Sequence, residues 1–187
     1  VTSGRPDDEA RRRAEALDAA TRAGWELALP DGRDLPERVI ALVEFHAPEI
    51  VVSPWLHDAH PRHEEVALAT ADTLASLAAP PVWWQWGLWA DLRHPTLYVP
   101  FADDVLADAH HVLAAYAGEL ARNDYARLLD ARATAHAVLG SERIFGFGSA
   151  RASHLPYAEL LTEQRFVDGD WRRGDVRVLD PHHPLGE

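Results

Sequence analysis

The sequence predicts an α/β fold with a mainly parallel sheet, and three observations carry that expectation. Helix-like and strand-like segments alternate along the chain; the strand-like pieces are short apolar runs; and no segment repeats. A length of 187 residues matches one domain with room for a sizeable core.

Each element follows from local chemistry. Residues 7–23 are rich in Ala, Arg and Glu, with Ala14, Leu17, Ala20 and Thr21 on one face of a helix. Asp7, Asp8 and Glu9 put carboxylates at its start, where the helix dipole favours them, and Gly24 stops it. A short apolar run, 25–29, ends at the turn Pro30-Asp31-Gly32. Leu35, Val39, Leu42 and Val43 then form a helical stripe over 35–46, closed by Pro48. Residues 49–53 read as a buried strand, 54–61 as a loop, and 63–77 as a helix with Val66, Thr70, Thr73, Leu74 and Leu77 inward. After Pro80-Pro81 come the tryptophan-rich run 82–89 and a second strand-like piece, 96–99. Two long helices are expected next, over 102–120 and over 123–139, the second capped by Gly140. Near the end, 166–171 predicts a hairpin turning at Asp168-Gly169, followed by a last strand-like piece at 175–179.

Composition narrows the function. Acidic residues outnumber basic ones 30 to 18, a net charge of -12, which argues against phosphate backbones and anionic lipid surfaces as partners. Hydrophobic residues make up 47%, yet no apolar run approaches the ~18 residues of a membrane span. There is no Cys, which removes thiolate metal sites and Cys nucleophiles, and no Lys, which removes Schiff-base and P-loop lysine chemistry. Met is also absent, even from position 1, so the chain is expected to continue upstream of Val1. The expected location is cytoplasmic. The expected partner is a small molecule, with a homo-oligomer left open.

In open α/β sheets ligands bind beyond the carboxyl ends of the strands, which directs attention to the loop after 50–52. That loop holds His57, Asp58, His60 and His63 within seven residues. Imidazole is a common zinc ligand, and an H-x-x-H spacing at the mouth of a helix lets one ring bind metal while the other faces a substrate. A merely solvated polar loop is the alternative reading. The cluster Trp83, Trp84, Trp86 and Trp89 admits two readings as well, core packing or a sugar-stacking platform. His110-His111, His136, His154 and His182-His183 have no motif around them, and Gly146-Phe147-Gly148-Ser149 reads as a loop.

Asp58-Ala59-His60-Pro61-Arg62-His63 resembles the D-x-H-P-D-H motif of the PIG-L/LmbE family of zinc-dependent N-deacetylases. Further pieces are similar in the right order: Val1-Thr2-Ser3-Gly4, the Arg12-to-Gly24 helix, Leu29-Pro30-Asp31-Gly32, the stretch around Ala115-Tyr116, and Pro156-Tyr157-Ala158-Glu159. The likeness spans most of the chain, and only the first motif is specific. It implies a Rossmann-like three-layer sandwich and a zinc-dependent hydrolase that removes an N-acetyl group from an N-acetylglucosamine-type sugar or conjugate. By the same resemblance His63 is a metal ligand, His60 the electrophilic or acid catalyst, and Asp58 orients a His beside them.

Arg62 stands where the family has Asp, and it could grip an anionic part of a substrate. The family's early H-P-D-D-E motif is imitated only by Arg5-Pro6-Asp7-Asp8-Glu9, which reads better as a helix cap. The expectation is therefore a single deacetylase domain over 1–187 whose first strand and metal-binding loop lie upstream, with zinc binding weak or absent without them. A catalytically impaired homologue that binds a sugar or serves a structural role is the competing expectation. An Arg-only, Ala-rich composition fits a high-GC bacterial source by association.

Overall fold

The computed structural model describes residues 8–180. Val1 to Gly4, Asp7 and His182-His183 therefore lie outside the described residues. The chain divides into two compact units, one from residues 8–31, 100–138 and 153–159, the other from 32–99, 139–152 and 160–180.

The first unit is helical. α1 (Glu9–Ala23) ends where the expected stop stands, with Gly24 in the left-handed region at φ 67° and its N–H on the carbonyls of Ala20 and Thr21. Asp8 occupies the N-cap position but makes no side-chain cap bond; its carboxylate pairs with Arg11 at 3.3 Å. α1 packs on α4 (Asp103–Leu113). The single helix expected over 102–120 is two, because the chain breaks at 114–116 before α5 (Ala117–Arg122). Glu15 explains the break. Its carboxylate takes Arg11 at 2.8 Å and the N–H of Gly118 at 2.9 Å, an N–H that a continuous helix would have consumed.

Arg12 reaches Glu119 at 3.1 Å beside it. In the same unit His136 is buried in α6 (Tyr125–Phe145), with Nδ1 3.3 Å from Glu159, and His110 pairs with Asp130 at 2.6 Å. The run 25–29 forms neither helix nor strand.

The second unit holds most of the sheet. α2 (Leu35–His46) starts on a capping box, Asp34 accepting from the Glu37 N–H and Glu37 from the Asp34 N–H. β1 (Ile50–Pro54) follows and runs parallel to β2 (Val82–Trp86), and α3 (Pro61–Ala75) connects them as a crossover helix packed on β1 and α2. β4 (Tyr157–Val167) runs against β2, and β5 (Asp170–Arg173) against β4, so β1, β2 and β5 share one direction. β3 (Leu97–Phe101) pairs in parallel with β6 (Arg177–Val178), and the sheet order is β1-β2-β4-β3-β6. The β4–β5 hairpin turns at Asp168-Gly169 as expected; both residues have positive φ, 55° and 81°, as a two-residue hairpin turn demands. This is the open, mostly parallel, Rossmann-like α/β arrangement that the sequence predicts.

Ala67, Ala71, Leu74 and Trp83 form a core between α3 and the sheet, with Val43, Val51 and Leu77 against it. Gly140 is not a cap, since α6 runs through it to Phe145. A Cβ there would lie 2.7 Å from the Tyr98 ring, so glycine lets the helix close on the strand. Among the described residues no helix is long and apolar enough to cross a membrane.

Candidate functional site

The site forms where β1 and β2 end. The ladder continues one step past β1, the Trp55 N–H donating to the Trp86 carbonyl at 2.7 Å, and the chain then turns through residues 55–60 into α3. His60 is the N-cap of α3, Pro61 opens its first turn, and the His60 carbonyl accepts the N–H groups of His63 and Glu64 at 2.9 and 3.0 Å. The two imidazoles therefore start on one helical turn, and their ring centroids are 4.6 Å apart.

Asp58 organises what surrounds them. It is fully buried, and both its oxygens accept. Oδ2 lies 2.6 Å from His63 Nδ1; Oδ1 takes the backbone N–H groups of Leu88, Trp89 and Ala90 at 2.6, 3.0 and 3.2 Å. An accepting carboxylate makes Nδ1 the protonated nitrogen of a neutral His63, leaving the lone pair on Nε2. Three successive N–H groups aimed at one oxygen need a tight turn after β2. Gly87 permits it, because a Cβ there would sit 2.5 Å from the Ala90 carbonyl oxygen.

The tryptophan run contributes two rings. Trp86 meets His63 edge-on at 5.2 Å, and Trp89 stacks on His60 at 5.7 Å with 19° between the planes. His60 Nδ1 is buried and has no hydrogen-bond partner among the described residues. Trp83 and Trp84 belong to the core instead, Trp83 donating to Ser53 Oγ at 2.8 Å and Trp84 to Glu163 at 3.1 Å.

Of the residues singled out from the sequence, the structure brings Asp58, His60 and His63 together. Arg62 is exposed and pairs with Glu65 at 2.6 Å on the helix surface. His57 packs edge-on against Trp55. Sequence reasoning misses the 88–90 backbone, and for Trp86 and Trp89 it leaves core packing and sugar stacking both open. The available signal is Gly87, a glycine directly after a buried strand.

His63 Nε2, with a carboxylate behind the ring, has the form of a metal-binding imidazole and its outer partner. Asp58, with both oxygens already accepting, would serve as that outer partner and not as a second ligand. A protein zinc site takes three or four donors, and among the described residues no group of three His, Asp or Glu side chains converges on one point. Among the described residues His63 Nε2 is therefore a single candidate donor.

Among solved structures, the chain is similar to GalB, the 4-carboxy-2-hydroxymuconate hydratase of Pseudomonas putida, with a TM-score of 0.59 at 18% identity over 84% of this chain and 72% of that one. It is also similar to the conserved protein TT1542 of Thermus thermophilus, with a TM-score of 0.56 at 18% identity over 86% of this chain and 74% of that one. What they share is the fold. No protein-family model matches the chain, and no curated protein does. The likeness agrees with the Rossmann-like α/β architecture expected from the sequence.

Proposed function

We propose that the chain is a hydrolase of the N-deacetylase type, removing the acetyl group from an N-acetylglucosamine-type sugar or conjugate. The observation that supports it is the Asp58–His63 pair, 2.6 Å apart, with the His60 ring beside it at the carboxyl ends of the parallel pair β1 and β2. Amide hydrolysis adds water across the C–N bond, and the departing nitrogen needs a proton. His60, half-buried at the mouth of α3, is the group that delivers it. Asp58 is a positioning residue that fixes the His63 ring. The fold is shared with a hydratase, an enzyme that also adds water to its substrate.

The zinc-dependent form of this reading makes His63 a ligand and requires further donors from outside residues 8–180. The test is metal content and release of free amine from N-acetylglucosamine conjugates, with and without added zinc. His63→Ala should lose zinc and turnover together, while His60→Ala should keep zinc and lose turnover by about 10²- to 10⁴-fold. A folded wild-type protein with neither zinc nor amine release would sink the reading. That no three metal donors converge among the described residues favours a second reading, a catalytically impaired homologue that binds a sugar or serves a structural role.

A further inference from the structure

The tryptophan run divides into two kinds of residue. Trp83 and Trp84 are buried in the core, whereas Trp89 remains 46% exposed although the His60 ring lies against it. Nor is Trp89 on a loose loop. Its own N–H and those of both neighbours are held by Asp58 Oδ1, in a turn that a side chain at Gly87 would block. One buried carboxylate thus holds the imidazole of His63 and the backbone that carries Trp89 in a single frame.

We propose that Trp89 is a specificity-determining residue, a platform that takes the C–H face of a pyranose ring and so sets the sugar's amide nitrogen beside His60. The inference rests on the amino-sugar reading above and names the group that would select a ring. A large aromatic surface half in water gains by covering an apolar sugar face. Because the turn is already fixed, little ordering is left for binding to oppose. His60 packs against the indole with ring centroids 5.7 Å apart, so a sugar that covers the exposed remainder of the indole has the imidazole as its neighbour.

The experiment compares two probes on the full chain by calorimetry: methyl N-acetyl-β-glucosaminide, which has a ring, and N-acetylethanolamine, which has the amide and no ring. Trp89→Ala should weaken the glycoside about tenfold and leave the acyclic amide unchanged, and Trp89→Phe should recover most of the loss. Where amine release is measurable, Trp89→Ala should raise KM for the glycoside more than it changes kcat. Equal glycoside affinity in wild type and Trp89→Ala overturns the proposal, as does equal loss for both probes or a wild type that binds neither. Trp89-dependent glycoside binding without amine release would remove the deacetylase reading and leave this inference standing. Amine release with KM insensitive to Trp89 would do the reverse.

Discussion

Replacing Asp58 separates its two tasks. In Asp58→Asn the amide oxygen can still accept the N–H groups of Leu88, Trp89 and Ala90, so the turn after β2 should survive. The amide nitrogen then faces His63 Nδ1. Two donors cannot share that contact, so the imidazole must carry its proton on Nε2 and lose the lone pair there. Hydrogen bonds to a charged acceptor contribute about 1.5–3 kcal/mol, roughly twice a neutral one, so Asn should cost about 1–2 kcal/mol of stability. In Asp58→Ala all three N–H groups lose their acceptor. Leu88 and Ala90 are not fully buried and Trp89 is partly exposed, so water replaces part of the loss, and the cost should be about 2–4 kcal/mol. Urea unfolding measures both values, and nitrogen NMR of the imidazoles reads the His63 tautomer directly. Turnover, where present, should fall in Asp58→Asn by on the order of 10³- to 10⁴-fold, the scale set by a wrong histidine tautomer. The reasoning fails if Asp58→Ala unfolds at the wild-type urea concentration, or if Asp58→Asn leaves the Nδ1 proton in place.

Glu163 on β4 is buried beneath Arg177 at 2.5 Å, Arg165 at 2.8 Å and the Trp84 N–H at 3.1 Å. Burial alone would raise its pKa, but the hydrogen bonds from Arg177, Arg165 and Trp84 together outweigh it and hold the carboxyl below its ordinary range. A depressed carboxyl contributes stability above its unfolded pKa of about 4.3, lost as pH falls through the folded value. Glu163→Gln should therefore cost about 2–3 kcal/mol at pH 7, and its stability curve should approach wild type as pH falls from the unfolded pKa through the depressed folded one; parallel curves across that window would refute the assignment. Gly140→Ala gains about 1 kcal/mol of helix propensity but puts a methyl 2.7 Å from the Tyr98 ring. Overpacking costs about 1–3 kcal/mol, so thermal melting should show no stabilisation and a net loss of up to about 2 kcal/mol; a raised Tm would mean that Tyr98 moves freely.

What the sequence disclosed was local. Asp58, His60 and His63 lie within one loop and the first helical turn, so their spacing alone brings them together, and the Asp168-Gly169 hairpin is likewise written in two adjacent residues. What it concealed depends on distant partners. The break at 114–116 answers to Glu15, about a hundred residues earlier, and the passage of α6 through Gly140 answers to Tyr98. Trp89 joins the site only because β1 and β2 are parallel and end side by side, which brings the 87–90 turn onto a carboxylate some thirty positions upstream. Charge and hydropathy patterns carry no record of that adjacency.

The Asp58 network also bears on the choice between an enzyme and an impaired homologue. A fully buried carboxylate carries a desolvation cost, and a turn of three backbone N–H groups at the edge of the unit could be satisfied by water or by an amide oxygen. The second half of the arrangement, the 2.6 Å contact to His63, whose ring is one-quarter exposed, contributes about 1–2 kcal/mol, part of which offsets that desolvation. That contact fixes a tautomer, and a fixed tautomer matters only if Nε2 has something to hold, a proton or a metal. Arg62 does not weaken the point, because its guanidinium is taken up by Glu65 on the outer face of α3. The pair therefore supports the proposed enzyme reading, in which Nε2 of His63 faces a proton or a metal.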